Sequence, residues 1–129
     1  MPKYLTPEWM AHVVEAADGL PERSGSTAVL QYVLTETPDG EDVHYHWVLE
    51  NGRLTEVAQG LREGADFTVT MTYADSVLIE KGELSDDDAY AQGRTKFSGS
   101  MVKAMRLTPL LNSPEFKAVQ DKIRAGTEF

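Results

Sequence analysis

DFTVTMTYADSVLIEKGELSDDDAYAQGRTKFSGSMVKAMRL, residues 66–107, carries a strand, two capped helices, a second strand and an apolar helix with almost no slack between them. Phe67, Val69 and Met71 alternate with Thr68, Thr70 and Thr72, the period of two of a strand with one buried face. Thr72 and Asp75 stand three apart, the spacing of a helix capping box. Gly82 is placed to end that helix, because the position after a C-cap commonly turns left-handed, where glycine has no Cβ to clash. Ser85 and Asp88 repeat the capping spacing, and Gly93 repeats the stop. Thr95 to Ser98 is short and strand-like, Gly99 turns the chain, and Ser100 is placed to cap a helix carrying Met101, Ala104, Met105 and Leu107.

Upstream, Thr6 and Pro7 open a helix, proline fitting the first helical position where its missing N–H costs nothing. Trp9, Met10, Val13, Val14 and Ala17 form its apolar stripe, and Gly19 is its expected stop. Ser26 to Thr37 reads as a strand, with Ala28, Leu30, Tyr32 and Leu34 on one face and Val29 and Val33 on the other, so that both sides are partly covered. After a turn at Pro38-Asp39-Gly40, Val43, Tyr45, Trp47 and Leu49 alternate with His44, His46 and Glu50. Asn51-Gly52 is a hairpin signal, and a two-residue turn there pairs Glu50 with Arg53 and Leu49 with Leu54. The returning strand runs from Arg53 to Gln59, and Gly60 to Ala65 is a polar connection. Downstream, Pro109 is expected to end the Ser100 helix, since the residue before a proline avoids the α region, leaving Leu110 and Leu111 in a short link. Ser113-Pro114-Glu115 opens a last helix with Phe116, Val119 and Ile123 on one side and Gly126 at its end. This order predicts an α+β fold, a mostly antiparallel five-stranded sheet covered by helices. With no repeat and no long linker, residues 1–129 are expected to form one domain.

The chain is 41% hydrophobic and 26% charged with a net charge of −9, proportions of a soluble globular protein. At 129 residues it can bury about two thirds of its unfolded surface. The acidic balance argues against nucleic-acid binding, which needs clustered Lys and Arg, and against steady adsorption to an anionic bilayer. The absence of cysteine excludes a disulfide frame, a thiol nucleophile and a thiolate metal site. No apolar run approaches the length of a membrane span, so no stable membrane insertion is expected. The start Met1-Pro2-Lys3-Tyr4 lacks the apolar region of a signal peptide, and the ending Ala125-Gly126-Thr127-Glu128-Phe129 lacks a peroxisomal Ser-Lys-Leu-type address. The expected compartment is the cytoplasm.

Candidate chemistry is sparse. Asp86, Asp87 and Asp88 form the most acidic run, but acids in the first turn of a helix complement its dipole, and few further oxygen ligands follow to complete a cation site. His44 and His46 share a strand face without a third ligand, His12 being on the polar side of a distant helix, so a solvated sheet face explains them without zinc. Ser98-Gly99-Ser100 sits at a sharp strand-to-helix turn, yet capping accounts for it and no His or acid is assigned as a partner. Glu56 shares a face with Trp47 and Leu49 if the hairpin register holds, and an apolar setting there would raise its pKa; a sheet edge in water is the alternative. No catalytic residue, metal or cofactor is assigned. Apolar residues crowd the C-terminal half: Met101, Ala104, Met105, Leu107, Leu110, Leu111, Phe116, Val119 and Ile123. Such crowding is either ordinary core or the lining of a cavity, and methionine suits surfaces that accommodate varied apolar shapes.

Gly82-Glu83-Leu84, then Gly93, Gly99-Ser100-Met101 and Ala104-Met105-Arg106-Leu107, at these spacings, resemble the signature of the SCP2-like (sterol carrier protein 2) domains. The likeness is densest over about a third of the chain, and the preceding order of a helix and three strands agrees with it. Gln92 stands where the family often has a bulky apolar residue, and Ser100 where it often has an acid. The resemblance implies an apolar tunnel between the sheet and the C-terminal helices. It also implies non-catalytic binding or carriage of an apolar ligand, such as a fatty acid, acyl-CoA, sterol or other lipid. On that expectation Phe67, Val69 and Met71 floor the cavity, and Val77 and Leu78 line one wall with Phe97. Met101, Ala104, Met105, Leu107 and Leu111 line another wall, and Phe116, Val119 and Ile123 close the far end. Two other functions stand beside this one. SCP2-like domains also occur joined to catalytic domains, which implies an accessory or catalytic role on an apolar substrate, with Gln92 or Glu56 as its buried polar group. An exposed face of Tyr45 and Trp47 would instead make a self-associating module, a homodimer.

Overall fold

The turn at Asn51-Gly52 sets the sheet. In the computed structural model, which describes residues 1–129, β1 (Ala28–Thr35) is followed by β2 (Val43–Glu50), which folds back through that turn onto β3 (Arg53–Gln59). Glu50 pairs with Arg53 and Leu49 with Leu54. Asn51 at φ 48° and Gly52 at φ 84° supply the two left-handed positions that such a turn needs. β1 lies antiparallel to β2 and parallel to β4 (Phe67–Thr72), and β5 (Lys96–Gly99) runs antiparallel to β4 at the edge. The strand order is β3-β2-β1-β4-β5. The sheet is therefore mostly antiparallel, with one parallel pair because the β2–β3 hairpin intervenes between β1 and β4.

Register decides which side chains share a face, since neighbours across a ladder point to the same side. Leu30 stands beside Phe67, Tyr32 beside Val69, Leu34 beside Met71, and Val69 beside Phe97. On the other flank of β1, Tyr32 faces Tyr45 and Leu30 faces Trp47. One side of the sheet thus carries a continuous apolar and aromatic set. Helix α1 (Pro7–Ala16) packs on β3, while α2 (Tyr73–Glu80) and, beyond α3 (Asp86–Ala91), α4 (Met101–Leu111) pack on β1 and β4. Helix α5 (Pro114–Ala125) packs on α1 and α4. Trp9, Val13, Leu34, Leu49, Leu107 and Leu110 are almost wholly buried at the centre of this layer.

The helix starts fall where the capping residues put them. Thr6, Thr72, Ser85, Ser100 and Ser113 each accept a bond from the backbone N–H three residues on, at 3.1–3.2 Å. Helices α2 and α3 end in the same motif. Gly82 and Gly93 turn left-handed, and Glu83 and Arg94 donate back to Leu78 and Ala89 at 2.8 and 2.9 Å. Gly99 has a second reason to be glycine. A Cβ there would lie 2.7 Å from the Asp66 carbonyl oxygen and from the Phe67 Cα. The chain has to pass that close to β4 for the Ser100 N–H to reach the Asp66 carbonyl at 2.9 Å.

Five local expectations are corrected. Helix α1 stops at Ala16, ahead of Gly19, and β1 spans Ala28–Thr35 rather than Ser26 to Thr37. Helix α4 runs through Pro109 to Leu111. Leu107 and Leu110, at 0% and 1% exposure, anchor the turn on either side of the proline. The carbonyl that loses its donor belongs to Met105, which is 66% exposed, so water can satisfy it. On the outer side of the sheet, a bulge between Val48 and Leu49 sets Glu56 opposite Val48, moving it off the face of Trp47 and Leu49. Its carboxylate meets His46 Nε2 at 3.0 Å and Arg62 at 2.6 Å. His46 is accordingly buried rather than solvated. The connection after β3 folds over this side, where the Gln31 amide donates to the Gly60 carbonyl at 3.2 Å and its oxygen accepts from the Arg62 N–H at 2.8 Å.

Candidate ligand-binding cavity

The apolar face of the sheet and the helices above it do not close completely on one another. They leave a cavity of about 660 Å³, in the middle of the range for small-molecule sites. Tyr32, Trp47, Phe67 and Phe97 contribute its aromatic floor from four strands. Tyr32 stacks on Tyr45 with centroids 4.8 Å apart, Phe67 lies 5.1 Å from Phe97, and Trp47 reaches Phe116 of α5 at 6.4 Å. Aromatic pairs in such geometry contribute about 0.5–1.5 kcal/mol each beyond their area burial. The walls come from Ile79 and Glu80 on α2, Asp86 and Asp87 on α3, Ala104 and Leu111 on α4, and Phe116, Gln120 and Ile123 on α5.

Of the expected lining, Phe67, Val69, Met71, Phe97, Ala104, Leu111, Phe116 and Ile123 surround the cavity. The other six do not. Leu107 and Val119 are packed into the core at 0% and 4% exposure, which leaves them no surface to offer. Val77 and Leu78 lie partly buried on α2 outside the lining, whereas Ile79 and Glu80 of the same helix reach it. Met101 and Met105, expected in a wall, face outward at 49% and 66% exposure. At 3.6 residues per turn, Leu107 and Leu110 fix the core side of α4, Ala104, Thr108 and Leu111 fall to the cavity side, and Met101, Val102, Met105 and Pro109 share the remaining outer arc.

The sequence reading missed the polar part of the lining. Glu80, on α2, is half-buried and lines the cavity near Asp86 of α3 and Arg124 of α5. Burial pushes its carboxyl up to about 7, Asp86 adds to the rise, and the Arg124 guanidinium opposes it. Arg124 does not pair with that carboxylate. Its Nε donates to the Glu80 carbonyl at 2.8 Å and its terminal nitrogen to Asp121 at 2.9 Å. Asp86 is exposed overall, but local desolvation, and then the charge of Asp87, raise its carboxyl too. The first turn of α3 holds these acids as the helix dipole favours, and it also turns two of them onto the cavity. Burial, with the negative charges of Asp86 and Glu80, holds the Tyr32 hydroxyl well above its ordinary range. Two donors in the lining, the Trp47 indole N–H and the Thr95 hydroxyl, are buried without hydrogen-bond partners. Tyr45 is 4% exposed and Trp47 lines the cavity, so the exposed aromatic face required by the self-association reading does not exist.

A mixed sheet with an aromatic floor and a helical cover over an apolar hollow defines a class of small ligand-binding α+β domains. The family model of the SCP-2 sterol transfer family matches residues 10–112, and the chain belongs to that family. Among its relatives, sterol carrier protein 2 of Gallus gallus is 30% identical over 86 residues, which is 67% of this chain and 16% of that protein. The chain thus spans about a sixth of the length of that relative. Solved structures agree on the fold. A conserved hypothetical protein of Thermus thermophilus superposes with a TM-score of 0.72 at 14% identity, covering 100% of this chain and 93% of that one. The palmitated sterol carrier protein 2-like protein SCP2L2 of Aedes aegypti gives 0.61 at 24% identity, covering 82% and 89%. No helix is long and apolar enough to cross a membrane.

Proposed function

We propose that residues 1–129 act as one domain that binds and carries an apolar ligand, of the lipid class, in this cavity without transforming it. The observation that carries the reading is an unfilled 660 Å³ space floored by four aromatic rings in a member of the SCP-2 sterol transfer family. The palmitated state of the Aedes relative supports a long-chain guest. Each buried methylene contributes about 0.8 kcal/mol. Ten of them supply about 8 kcal/mol before ordering costs, which sets the affinity at micromolar order at best. Phe67, Val69, Met71, Phe97, Ala104, Leu111, Phe116 and Ile123 are the proposed ligand contacts, joined by Tyr32 and Trp47. The cytoplasm is the proposed compartment, following from the cysteine-free composition.

Native mass spectrometry of the protein incubated with chain-matched lipids tests this. A one-to-one adduct that survives mild desolvation, and that is lost in Ala104→Phe, supports the proposal. A ligand-free spectrum with every lipid tried overturns it.

A further inference from the structure

The two tryptophans are treated differently by the fold. The Trp9 indole N–H donates to the Thr127 hydroxyl at 2.9 Å, as the N–H of a buried tryptophan ordinarily finds a partner. The Trp47 indole N–H is shielded from solvent and bonds to nothing in the protein, although Trp47 lines the cavity. Its ring lies against Tyr32 and Phe116, at 6.2 and 6.4 Å between centroids. The lining holds one other buried polar group without a partner, the Thr95 hydroxyl. Register sets the two far apart. Trp47, Leu30, Phe67 and Gly99 form one row across the sheet, and Tyr45, Tyr32, Val69 and Phe97 form the next row on the same face. Thr95 lies two residues before Phe97, on the side away from the Trp47 row. Three strand spacings and four residues separate it from Trp47, roughly 20 Å, so one head group cannot meet both.

The two ends differ in what accompanies the unmet group. Lys117 follows Phe116 on the turn of α5 that meets Trp47, and it lines the cavity together with Asn112. At the other end the Thr95 N–H is tied to the Ala89 carbonyl of α3 at 3.2 Å, and α3 is the helix that carries Asp86 and Asp87. A hydroxyl donates or accepts, whereas an indole N–H only donates. We infer that the Trp47 N–H donates to the head of a carboxylate-headed chain, with Lys117 as the counter-charge and the hydrocarbon running along Tyr32, Val69 and Phe97 toward Thr95. This rests on the cavity being the ligand site, and it fixes which head the site prefers and which way round the guest lies. The N–H is already stripped of water, so a bond from it to a charged acceptor has little left to displace on the protein side. Lys117 is exposed, so its charge is screened and Trp47 contributes the larger share. An ammonium head brings only donors to this end and meets Lys117 as a like charge.

The test is displacement of a neutral fluorescent dye from the intact chain at neutral pH by dodecanoate, methyl dodecanoate and dodecylammonium, which share one chain length. Dodecanoate should compete about tenfold better than dodecylammonium. Trp47→Phe keeps a ring on the floor and removes the N–H, so dodecanoate should weaken about tenfold there while dodecylammonium stays within about twofold. Lys117→Gln should weaken dodecanoate about threefold and leave methyl dodecanoate unchanged. In the wild type, the NMR signal of the Trp47 indole proton should move downfield with dodecanoate and not with dodecylammonium, a readout that needs no folded variant beyond the one used to assign the peak. Dodecanoate binding equally well to folded Trp47→Phe, or an indole shift of the same size with both ligands, overturns the anchor while leaving the cavity as a lipid site. Methyl dodecanoate competing as well as dodecanoate overturns the preference for a carboxylate. If the dye itself does not bind, the proposed function fails along with it.

Discussion

Replacing Glu80 with Gln should make the ligand-free protein more stable at pH 8 and leave it nearly unchanged at pH 4. A carboxyl whose pKa is raised on folding binds more protons in the folded than in the unfolded state, so stability falls as pH rises across the interval between the two values. For Glu80 that interval runs from its ordinary 4.5 to about 7. Below it, both states are protonated and the group contributes no difference. Above it, the folded protein holds a partly desolvated carboxylate that the unfolded chain would solvate fully. At 1.36 kcal/mol per pH unit the full cost is about 3 kcal/mol. In a chain of this size that corresponds to roughly 10 °C in midpoint. Thermal unfolding of delipidated wild type and Glu80→Gln between pH 4 and pH 8.5 reads it directly. The two midpoints should run together at the acid end and separate steadily above pH 4.5, with the variant higher. Parallel curves across the whole range would refute the desolvation of the Glu80 carboxyl in the folded protein.

Further expectations concern single positions. Gly99→Ala should lose about 2 kcal/mol or more, since a Cβ at φ 117° meets the Asp66 carbonyl and Phe67 at 2.7 Å; urea unfolding measures it, and a loss under 0.5 kcal/mol would contradict the close approach. Met105→Trp should change neither folding nor ligand affinity by more than twofold, because the side chain is 66% exposed on the outer arc of α4; a displacement titration showing strong loss would return that residue to the cavity wall. Gln31→Leu should cost about 2 kcal/mol by stripping the Tyr45 and Gly60 carbonyls and the Arg62 N–H of their buried partner, with hydrogen exchange rising in the connection after β3. Unaltered exchange there would show that the connection is held by other bonds.

The elements were legible because each carries local punctuation. Thr72, Ser85, Ser100 and Ser113 act at short range on backbone donors, and Gly82, Gly93 and Asn51-Gly52 act on backbone dihedrals. All of these operate within a few residues, where sequence and structure are nearly the same thing. The lining was half legible for the opposite reason. A period of two sorts the residues of β1 and β2 into two faces but does not say which face the helices cover. That is set by the parallel pairing of β1 with β4, which brings Tyr32 beside Val69 across more than thirty residues of chain. Trp47 and Tyr45 were therefore readable as an exposed patch when they are the floor and its support. On α4 the error was angular. Methionines marked the helix as apolar, but the buried pair Leu107 and Leu110 turns Met101 and Met105 outward and leaves Ala104 and Leu111 on the cavity. Pro109 misled because a proline near a C-terminus orphans only one carbonyl, and here that carbonyl is in water. Glu80 left no signal at all, since a single acid at the end of an amphipathic helix reads as surface until α3 and α5 are placed around it.

Both tryptophans border the cavity, so an occupant can be seen directly. Titration with a dodecanol brominated near its tail should quench their emission saturably in the wild type, with a midpoint of micromolar order. It should leave Ala104→Phe, whose added ring occupies the space of about four methylenes and costs about 3 kcal/mol of binding, unquenched to roughly a hundredfold higher concentration. Quenching no stronger than that of free tryptophan in the same solution, or quenching identical in folded Ala104→Phe, would contradict a guest lying between the sheet and its helical cover.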